Sequence, residues 1–522
     1  MIKGIPYTEA LKSYQHDKEH TLPEMNELLR DYHPDYYPAS KVELQVGPNK
    51  GDICHQQLAE MLQADAHIDE ADLAGASITE TNILVIGGGG AGCAAALTAA
   101  RQGARVILAT KLRLGDSNTV MAEGGIQASI EPNDTPQAHY DDTLRAGHHA
   151  ADKKLVATMV KEAPDVIRWL IKEGMQFDVD EFGDLLTRRP GGASANRIVY
   201  YRDYTGLEMM RVLREAVSNS NIKVWDHCPA VELLSSETGH CAGAVFYSLE
   251  EQAYKMIKAQ AVILATGGIG RMHLNNFPTT NHFGATGDGL VLAYRLGAQL
   301  RDLDSFQYHP TGIAYPSHIA GSLITESVRS AGVQLLNGLG ERFVDELKPR
   351  DYISAAILRE CAEGRGVFVD EKTVGVWLDT PSMERREPGM MKKRFPKLFQ
   401  LAKRGNLEPT KIPMLVYPAL HYQNGGIVIN EYGQTCVRGL YSVGEVSGGI
   451  HGRNRIMGNA LLEIICFGRR AGAKAVESII IRGHKKSGIE HLSRLRRELS
   501  RTNLPMNVKS PMLFPTCANF KL

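Results

Sequence analysis

The residues with the clearest chemical meaning form a glycine-rich turn close to residue 90. Residues 87–92 read Gly-Gly-Gly-Gly-Ala-Gly and match G-x-G-x-x-G, between a short apolar run and an alanine-rich helical pattern. In such a turn Gly87 permits the tight bend, Gly89 lets the backbone approach a pyrophosphate, and Gly92 lets helix pack on strand. The following helix N-terminus faces the anion, so the pattern predicts a dinucleotide phosphate site.

One part of the usual NAD fingerprint is missing. That fingerprint expects Asp or Glu about 20 residues further on, where the acid binds a ribose hydroxyl. Here the second apolar run ends Ala109-Thr110-Lys111, with no acid. The turn therefore does not support NAD, and the identity of the dinucleotide must come from other residues.

Composition and cysteine spacing give no support for several other classes of protein. The 59 basic residues equal the 59 acidic ones, so charge gives no indication of nucleic acid or an anionic membrane as partner. No apolar run approaches the roughly 18–20 residues of a spanning helix, and the N-terminus lacks the apolar core of a signal peptide. Eight scattered cysteines without Cys-x-x-Cys predict free thiols in a reducing cytoplasm and no metal or iron–sulfur site within this chain.

The elements that position the glycine turn form a βαβ unit. Asn82–Ile86 predicts a buried strand, and Ala91–Gln102 predicts a helix with Gly103 as its C′ residue. Arg105–Ala109 is the next predicted strand, and Ala261–Ala265 is another. These patterns place the chain in the α/β class, with a Rossmann-like dinucleotide-binding domain.

A chain of 522 residues exceeds the size of a single core, so several domains are expected. Glycine-rich sequence returns near residue 420, which predicts a split dinucleotide-binding domain at residues 81–302 and 418–480. The charged segment 303–417 is the inserted domain. Residues 1–80 form a polar extension. It is interpreted either as a docking arm or extra subdomain, or alternatively as a contact surface for a partner subunit. Residues 481–522 form a short tail.

Beyond the turn, a series of motifs resembles the flavoproteins of fumarate reductase, succinate dehydrogenase and L-aspartate oxidase. The motifs occur in family order over about residues 81–475: Asp116-Ser117-Asn118-Thr119, Ala122-Glu123-Gly124-Gly125-Ile126, Ala285-Thr286-Gly287-Asp288-Gly289, Tyr308-His309-Pro310-Thr311-Gly312, Leu323-Ile324-Thr325-Glu326-Ser327-Val328-Arg329, Pro349-Arg350-Asp351, His421-Tyr422-Gln423-Asn424-Gly425-Gly426, Gly439-Leu440-Tyr441-Ser442-Val443-Gly444-Glu445 and His451-Gly452-Arg453-Asn454-Arg455. The resemblance implies bound FAD, with an α+β capping domain inserted over the flavin.

The same resemblance implies a set of FAD contacts. Glu445 corresponds to the acid that binds the FAD ribose, and Gly124 and Gly125 lie along the flavin in the family. The complete predicted set is Gly87, Gly89, Gly92, Lys111, Ser117, Asn118, Gly124, Gly125, Ala265, Thr266, Gly267, Asp288, Glu445 and Asn459.

Asn118 departs from the membrane-bound members of the family. Those proteins place a histidine at this position and bond it covalently to the flavin, which raises the flavin potential and aids succinate oxidation. Asparagine cannot form that bond, so non-covalent FAD is expected. This departure favours fumarate reduction or aspartate oxidation over succinate oxidation.

The resemblance also implies a site for a small C4 dicarboxylate. His309, with Thr325 and Glu326 nearby, corresponds to the histidine that holds one carboxylate, and His421 and Arg455 correspond to the pair that grips the other. Arginine suits this role because its planar fork matches a carboxylate. Taken singly, each residue also has an ordinary structural interpretation, such as a buried histidine or an ion-pair partner.

Three further residues correspond to the family's proton-transfer groups. Arg350 matches the arginine that protonates the substrate, Arg329 matches a second arginine, and Glu326 matches the carboxylate that passes protons inward. A guanidinium is an unusual acid, but desolvation and a nearby positive charge both disfavour its charged form. The Glu-x-x-Arg spacing places Glu326 and Arg329 on one face if the segment is helical.

The leading hypothesis is therefore an FAD-dependent fumarate reductase-like enzyme of the electron-transport type. A separate iron–sulfur or other redox subunit must supply electrons, and any membrane association of this cytoplasmic chain would come through partners. L-aspartate oxidase and succinate dehydrogenase are the alternative enzymes, and an FAD electron carrier without dicarboxylate chemistry is the alternative of another class. The segment 185–192 departs from the family's loop, which leaves the substrate open.

Overall fold

The computed structural model describes residues 18–19, 25–479, 487–505 and 507–512. Its central sheet has eight strands, five of which run parallel to one another. Across the sheet the strands are Lys223–Trp225, Val106–Ala109, Ser77–Ile86, Ala253–Leu264, Cys241–Ser248, Ala230–Ser236 and Ser487–Gly488, with Leu440–Ser442 also beside Ala253–Leu264. The central parallel strands are apolar and buried towards their carboxyl ends, as expected for strands covered on both faces.

Two helices pack closely against each other beside this sheet. The glycine turn leads into Gly90–Arg101, and the long helix Asn459–Ile479 lies against it. Close approach depends on small residues, because a Cβ added at Gly468 would lie 2.7 Å from the carbonyl oxygen of Ala91. The second chain segment that contributes to the dinucleotide-binding fold is therefore held directly against the first.

A second, largely antiparallel sheet is formed mainly by the inserted part of the chain. In order its strands are Lys18–Glu19, Glu341–Arg342, Leu335–Leu336, Val374–Leu378, Met414–Gln423 and Phe306–Ile313, with Val367–Phe368 beside Val374–Leu378. Its helices are Glu326–Ser330, Arg350–Ala362, Thr380–Arg386, Met390–Arg394 and Pro396–Arg404. The pairing of the two longest strands sets His309 opposite Ala419, two residues before His421.

Smaller elements complete the described structure. The remaining helices are Met25–Tyr32, Gln56–Leu62, Asn118–Met121, Pro136–Ala146, Lys153–Lys172, Thr205–Ser218, Asp288–Leu296 and His491–Leu499. The small sheets are Leu300–Arg301 with Gly426–Val428 and Ser447–Gly448, Ile126–Gln127 with Ile198–Val199 and Thr187–Arg188, Lys41–Glu43 with Ile53–His55, and Asp65–Ala66 with Lys509–Ser510.

The described parts of the N-terminal extension and the tail pack onto the body of the chain. Leu28 and Leu29 are buried in the core of the inserted part, against the helix Arg350–Ala362. The buried Arg295 donates hydrogen bonds to the carbonyl oxygen of Asp65 at 2.8 Å and to Ser510 Oγ at 2.7 Å, which joins extension and tail. No helix in the part of the chain that the structure describes has the length and hydropathy needed to cross a membrane.

The predicted local elements are observed, but two strands begin earlier than expected: Ser77–Ile86 instead of Asn82–Ile86, and Ala253–Leu264 instead of Ala261–Ala265. The predicted helix Ala91–Gln102 is observed as Gly90–Arg101, and Gly103 adopts the left-handed φ of 87° expected after its C-terminus. The predicted domain boundaries at 80 and 417 fall within the strands Ser77–Ile86 and Met414–Gln423. The division into domains stays a prediction.

Candidate functional site

A cavity of about 850 Å³ lies where the glycine turn meets the inserted sheet. One end is lined by the glycine turn and by Ala265, Thr266 and Gly267, at the carboxyl end of a central strand. Ligands bind at this edge in open α/β sheets. The other end is lined by titratable side chains, namely His309, Glu326, Arg350, His421 and Arg455.

The glycine turn has the backbone geometry that a pyrophosphate requires. Gly87 has a φ of 117°, and a Cβ there would lie 2.2 Å from the carbonyl oxygen of Ala265. A Cβ at Gly92 would lie 1.9 Å from the carbonyl oxygen of Gly87, so this glycine closes the turn. Thr266 Oγ1 lines the cavity, is buried and has no hydrogen-bond partner among the described residues. These features fit a dinucleotide ligand.

Most of the predicted cofactor residues line this cavity. They are Gly87, Gly89, Lys111, Ser117, Asn118, Gly124, Gly125, Ala265, Thr266, Gly267 and Glu445. Gly92, Asp288 and Asn459 lie behind the lining. Asp288 accepts a hydrogen bond from Lys111 Nζ at 2.7 Å, and Asn459 Oδ1 lies 2.8 Å from His139 Nε2. Their individual roles stay predictions.

Asn118 belongs to a hydrogen-bonded group that lines the cavity. Its Nδ2 donates to Asn281 Oδ1 at 2.6 Å and to Glu445 Oε2 at 3.3 Å, and its Oδ1 accepts from the backbone N–H of His282 at 2.7 Å. Burial raises the pKa of Glu445 to about 7, although hydrogen bonds from the Gln423 N–H and Asn118 oppose the rise. The side chains are thus held in place before a ligand binds.

Glu326 connects the two arginines predicted for proton transfer. Arg350 Nε donates to Glu326 Oε2 at 2.7 Å, and Arg329 Nη2 lies 3.4 Å from the same oxygen. All three side chains are at least nine-tenths buried. Burial acts to raise the pKa of Glu326, but the charges of Arg350 and Arg329 outweigh burial and lower it. Glu326 and Arg350 line the cavity, whereas Arg329 lies behind Glu326 and donates to the Glu346 carbonyl oxygen at 2.6 Å.

The helix that carries this pair is short and capped. Glu326–Ser330 is helical, so the three-residue spacing places Glu326 and Arg329 on one face as predicted. Thr325 is the N-cap, and its Oγ1 accepts a hydrogen bond from the Ser327 N–H at 3.4 Å. Thr325 also lines the cavity.

His309 and His421 face each other on the paired long strands. Their ring centroids are 5.0 Å apart and the rings are edge to face. Burial, followed by the positive charge of Arg350, holds the pKa of both histidines well below its ordinary value, so both rings are neutral at pH 7. His309 Nδ1 accepts the Thr311 N–H at 3.2 Å, which leaves Nε2 as the protonated nitrogen. His309 therefore presents a hydrogen-bond donor without a positive charge, and His421 likewise adds no charge.

Arg455 supplies a positive charge with no ion-pair partner among the described residues. Its guanidinium lies 4.3 Å above the ring of Tyr422, and its Nη2 donates to Gln307 Oε1 at 3.1 Å. Burial and the nearby charge of Arg350 lower the pKa of Arg455 to about 10, so it remains charged at neutral pH. A buried cation in this position requires an anion, and the carboxylate of a ligand would satisfy it.

Gln307 was missed by sequence reasoning. Its Oε1 accepts hydrogen bonds from Arg350 Nη1 at 2.9 Å and from Arg455 Nη2, so one amide oxygen lies between the two guanidiniums. Nothing in the local sequence marks this role, because its two partners lie 43 and 148 residues away. Asn281 and Tyr422 are further lining residues that only the tertiary structure identifies.

Comparisons with known proteins agree with this architecture. The family model described as FAD binding domain matches residues 82–461. The chain is 39% identical over 425 residues to one subunit of the fumarate reductase (CoM/CoB) of Methanothermobacter marburgensis, covering 79% of this chain and 75% of that protein. It is 36% identical over 405 residues to L-aspartate oxidase of Streptomyces coelicolor, covering 75% and 68%. The FrdA structure of E. coli quinol fumarate reductase superposes with a TM-score of 0.73 at 31% identity, covering 81% and 74%.

The chain belongs to the FAD-binding flavoprotein family that includes fumarate reductases and L-aspartate oxidases. This confirms the predicted family and the predicted fold class, an FAD-binding α/β domain with an inserted cap. The protein is an FAD-dependent oxidoreductase of this family. Within residues 25–479 and the described tail, no group of three or more His, Cys, Asp or Glu side chains is arranged to hold a metal ion.

Proposed function

We propose that the chain reduces fumarate or a closely similar C4 dicarboxylate, using non-covalent FAD and a partner that supplies electrons. The observation that carries this proposal is the Arg350–Glu326 pair beside the unpaired Arg455 at one end of the FAD cavity. Two buried guanidiniums share the ionised carboxylate of Glu326, and the third, Arg455, is unpaired, which leaves net positive charge for a dianionic substrate. When bound, FAD would supply the hydride.

Binding would use both ends of the substrate. Arg455 and His421 would hold one carboxylate, while His309 and the N-terminus capped by Thr325 would hold the other. Neutral histidines donate hydrogen bonds without adding charge, so the arginines alone balance the two substrate charges. Fixing both carboxylates holds the double bond in one orientation and withdraws electrons from it.

Arg350 would complete the reaction as the proton donor. Reduction of the alkene adds one hydride and one proton to adjacent carbons, and Arg350 would give its proton to the second carbon. Glu326, in contact with Arg350 Nε, would then return a proton to Arg350, with Arg329 behind it as the next group. Each group is already within or close to hydrogen-bond distance of the next.

The test is fumarate-dependent oxidation of reduced viologen by the FAD-loaded chain. Wild type should turn over, and Arg350→Lys should lose at least about 100-fold in kcat while retaining FAD. Arg359→Gln is a matched control on the same helix, because Arg359 pairs with Glu363 instead of facing the cavity. Full FAD loading without fumarate turnover by wild type would contradict the proposal.

L-aspartate oxidation is the second candidate, because several relatives of similar identity carry that name. It would form peroxide from aspartate in air without any partner protein, which a peroxide assay on the same preparation detects. Fumarate reduction instead needs an electron donor, which we propose to be an iron–sulfur or other redox subunit. That subunit would also bring this cytoplasmic chain to any membrane.

A further inference from the structure

We propose that the loop residue Gly191 is a positioning residue for Glu326. Through this contact the FAD-binding part of the chain fixes the orientation of Glu326 in the cap, and so controls proton delivery to Arg350. The inference rests on the proposed function, since it assigns Glu326 to proton transfer. The loop lies between the strands Thr187–Arg188 and Ile198–Val199, whereas Glu326 belongs to the cap. The contact joins residues 135 positions apart.

Glu326 receives hydrogen bonds from both sides. Its Oε2 accepts from Arg350 Nε, and its Oε1 accepts from the Gly191 N–H at 2.9 Å. A backbone N–H cannot lose its proton in turnover, so it does not belong to the transfer path. It favours the ionised carboxylate and fixes its rotation, which keeps Oε2 directed at Arg350.

The neighbouring residue makes a second contact across the same interface. The Gly192 N–H donates to the Leu347 carbonyl oxygen at 3.0 Å, three residues before Arg350. The loop therefore contacts both the carboxylate and the segment that leads into the helix of the proton donor. These two contacts hold Glu326 from the side opposite Arg350 and fix the loop against the chain segment before Arg350.

The base of the loop is anchored in the FAD-binding part. Arg188 Nη2 donates to the Gly124 carbonyl oxygen at 2.7 Å, and its guanidinium lies 4.0 Å from the Tyr200 ring centroid. The Ser194 N–H donates to Asp142 Oδ2 at 2.7 Å on the other side. Because Gly124 lines the flavin cavity, the loop relates the position of Glu326 to the cofactor site.

Glycine is needed at position 191 for reasons of space. A Cβ there would lie 3.0 Å from Glu326 Oε1 and 3.4 Å from the Leu347 carbonyl oxygen. The substitution Gly191→Ala would therefore push the carboxylate away from the N–H. Gly183→Ala is the matched control, since its φ of 90° causes the same kind of strain eight residues before Gly191 but its Cβ would meet no atom within 4 Å.

The experiment compares pH profiles of fumarate reduction for wild type, Gly191→Ala, Glu326→Gln and the double variant. Gly191→Ala should lower kcat about tenfold with KM nearly unchanged. In the pH profile of kcat, the limb that reports ionisation of Glu326 should shift upward by about one pH unit. Gly183→Ala should lower the melting temperature without moving that limb. In the Glu326→Gln background the Gly191→Ala effect should disappear, because the residue acts through Glu326.

A measurement without turnover separates the two proposals. Infrared titration of the FAD-loaded protein identifies the Glu326 carboxyl band as the one absent in Glu326→Gln, and its midpoint should rise in Gly191→Ala. An unchanged midpoint, or equal effects of Gly191→Ala with and without Glu326, would overturn the positioning role. If wild type does not turn over fumarate but the infrared midpoint still shifts in Gly191→Ala, only the proposed function is overturned.

Discussion

Arg350 Nε lies 2.7 Å from Glu326 Oε2, and the same oxygen lies 3.4 Å from Arg329 Nη2. One buried carboxylate is thus shared by two guanidiniums, of which one lines the cavity and the other lies behind it. Breaking a buried ionic group by removing one partner leaves uncompensated charge. Substitution of the shared acid is therefore the most informative change at this site.

Glu326→Gln should abolish proton return while keeping the shape of the side chain. We expect kcat for fumarate reduction to fall about 100-fold with KM within a factor of about three, since the substrate clamps are untouched. Steady-state kinetics with reduced viologen measures both constants. Glu363→Gln, an acid paired with Arg359 away from the cavity, serves as control, and equal kcat values in the two variants would exclude a special role for Glu326.

Gly87→Ala should prevent FAD binding, because the residue has a φ of 117° and a Cβ would lie 2.2 Å from the Ala265 carbonyl oxygen. Gly103→Ala carries the same type of strain with a φ of 87° but meets no atom within 4 Å. We expect Gly103→Ala to lose about 1 kcal/mol of stability and keep its flavin. The ratio of absorbance at 450 nm to 280 nm reports FAD content, and a fully loaded Gly87→Ala protein would contradict the assigned turn.

FAD should be released completely when the native protein is precipitated with acid, because Asn118 cannot bond covalently to the flavin. Its side chain is instead held by Asn281, Glu445 and the His282 N–H. The absorption spectrum of the supernatant measures the released flavin. Flavin that remained with the precipitated polypeptide would disprove non-covalent attachment.

The raised pKa of Glu445 predicts that the stability of the FAD-free protein depends on pH. Burial raises its pKa to about 7, above the value expected in the unfolded chain, so the folded state binds the extra proton. This contribution to stability is present at low pH and is lost as pH rises through about 7. Glu445→Gln should therefore raise the melting temperature by about 2 °C at pH 8 and have little effect at pH 4.5.

The same variant tests whether Glu445 contacts the cofactor. Glutamine retains the shape and one acceptor oxygen but loses the negative charge that strengthens hydrogen bonds from a ribose, so FAD affinity should fall about tenfold at pH 8. Fluorescence titration of the FAD-free protein measures the Kd. If the variant stabilises the FAD-free protein but leaves the FAD affinity unchanged, Glu445 is not an FAD contact.

The sequence by itself determined the local elements and the family. The helix after the glycine turn was predicted to within one residue at each end, because the turn glycines and Gly103 act within a few positions of the chain. The order of the motifs was sufficient to predict an FAD-binding α/β fold with an inserted cap, which the comparisons confirm.

Only the tertiary structure decided which side chains share the site and which lie behind it. Lys111 and Asp288 were both predicted as cofactor contacts, yet they pair with each other across 177 residues, and Asp288 lies outside the cavity lining. Gln307 and Gly191 carry no local signal for contacts with Arg350 and Glu326. Hydrogen bonds depend on distances set by the packing of remote segments, whereas turns and helix ends depend on neighbouring residues, and this difference limits what the sequence can predict.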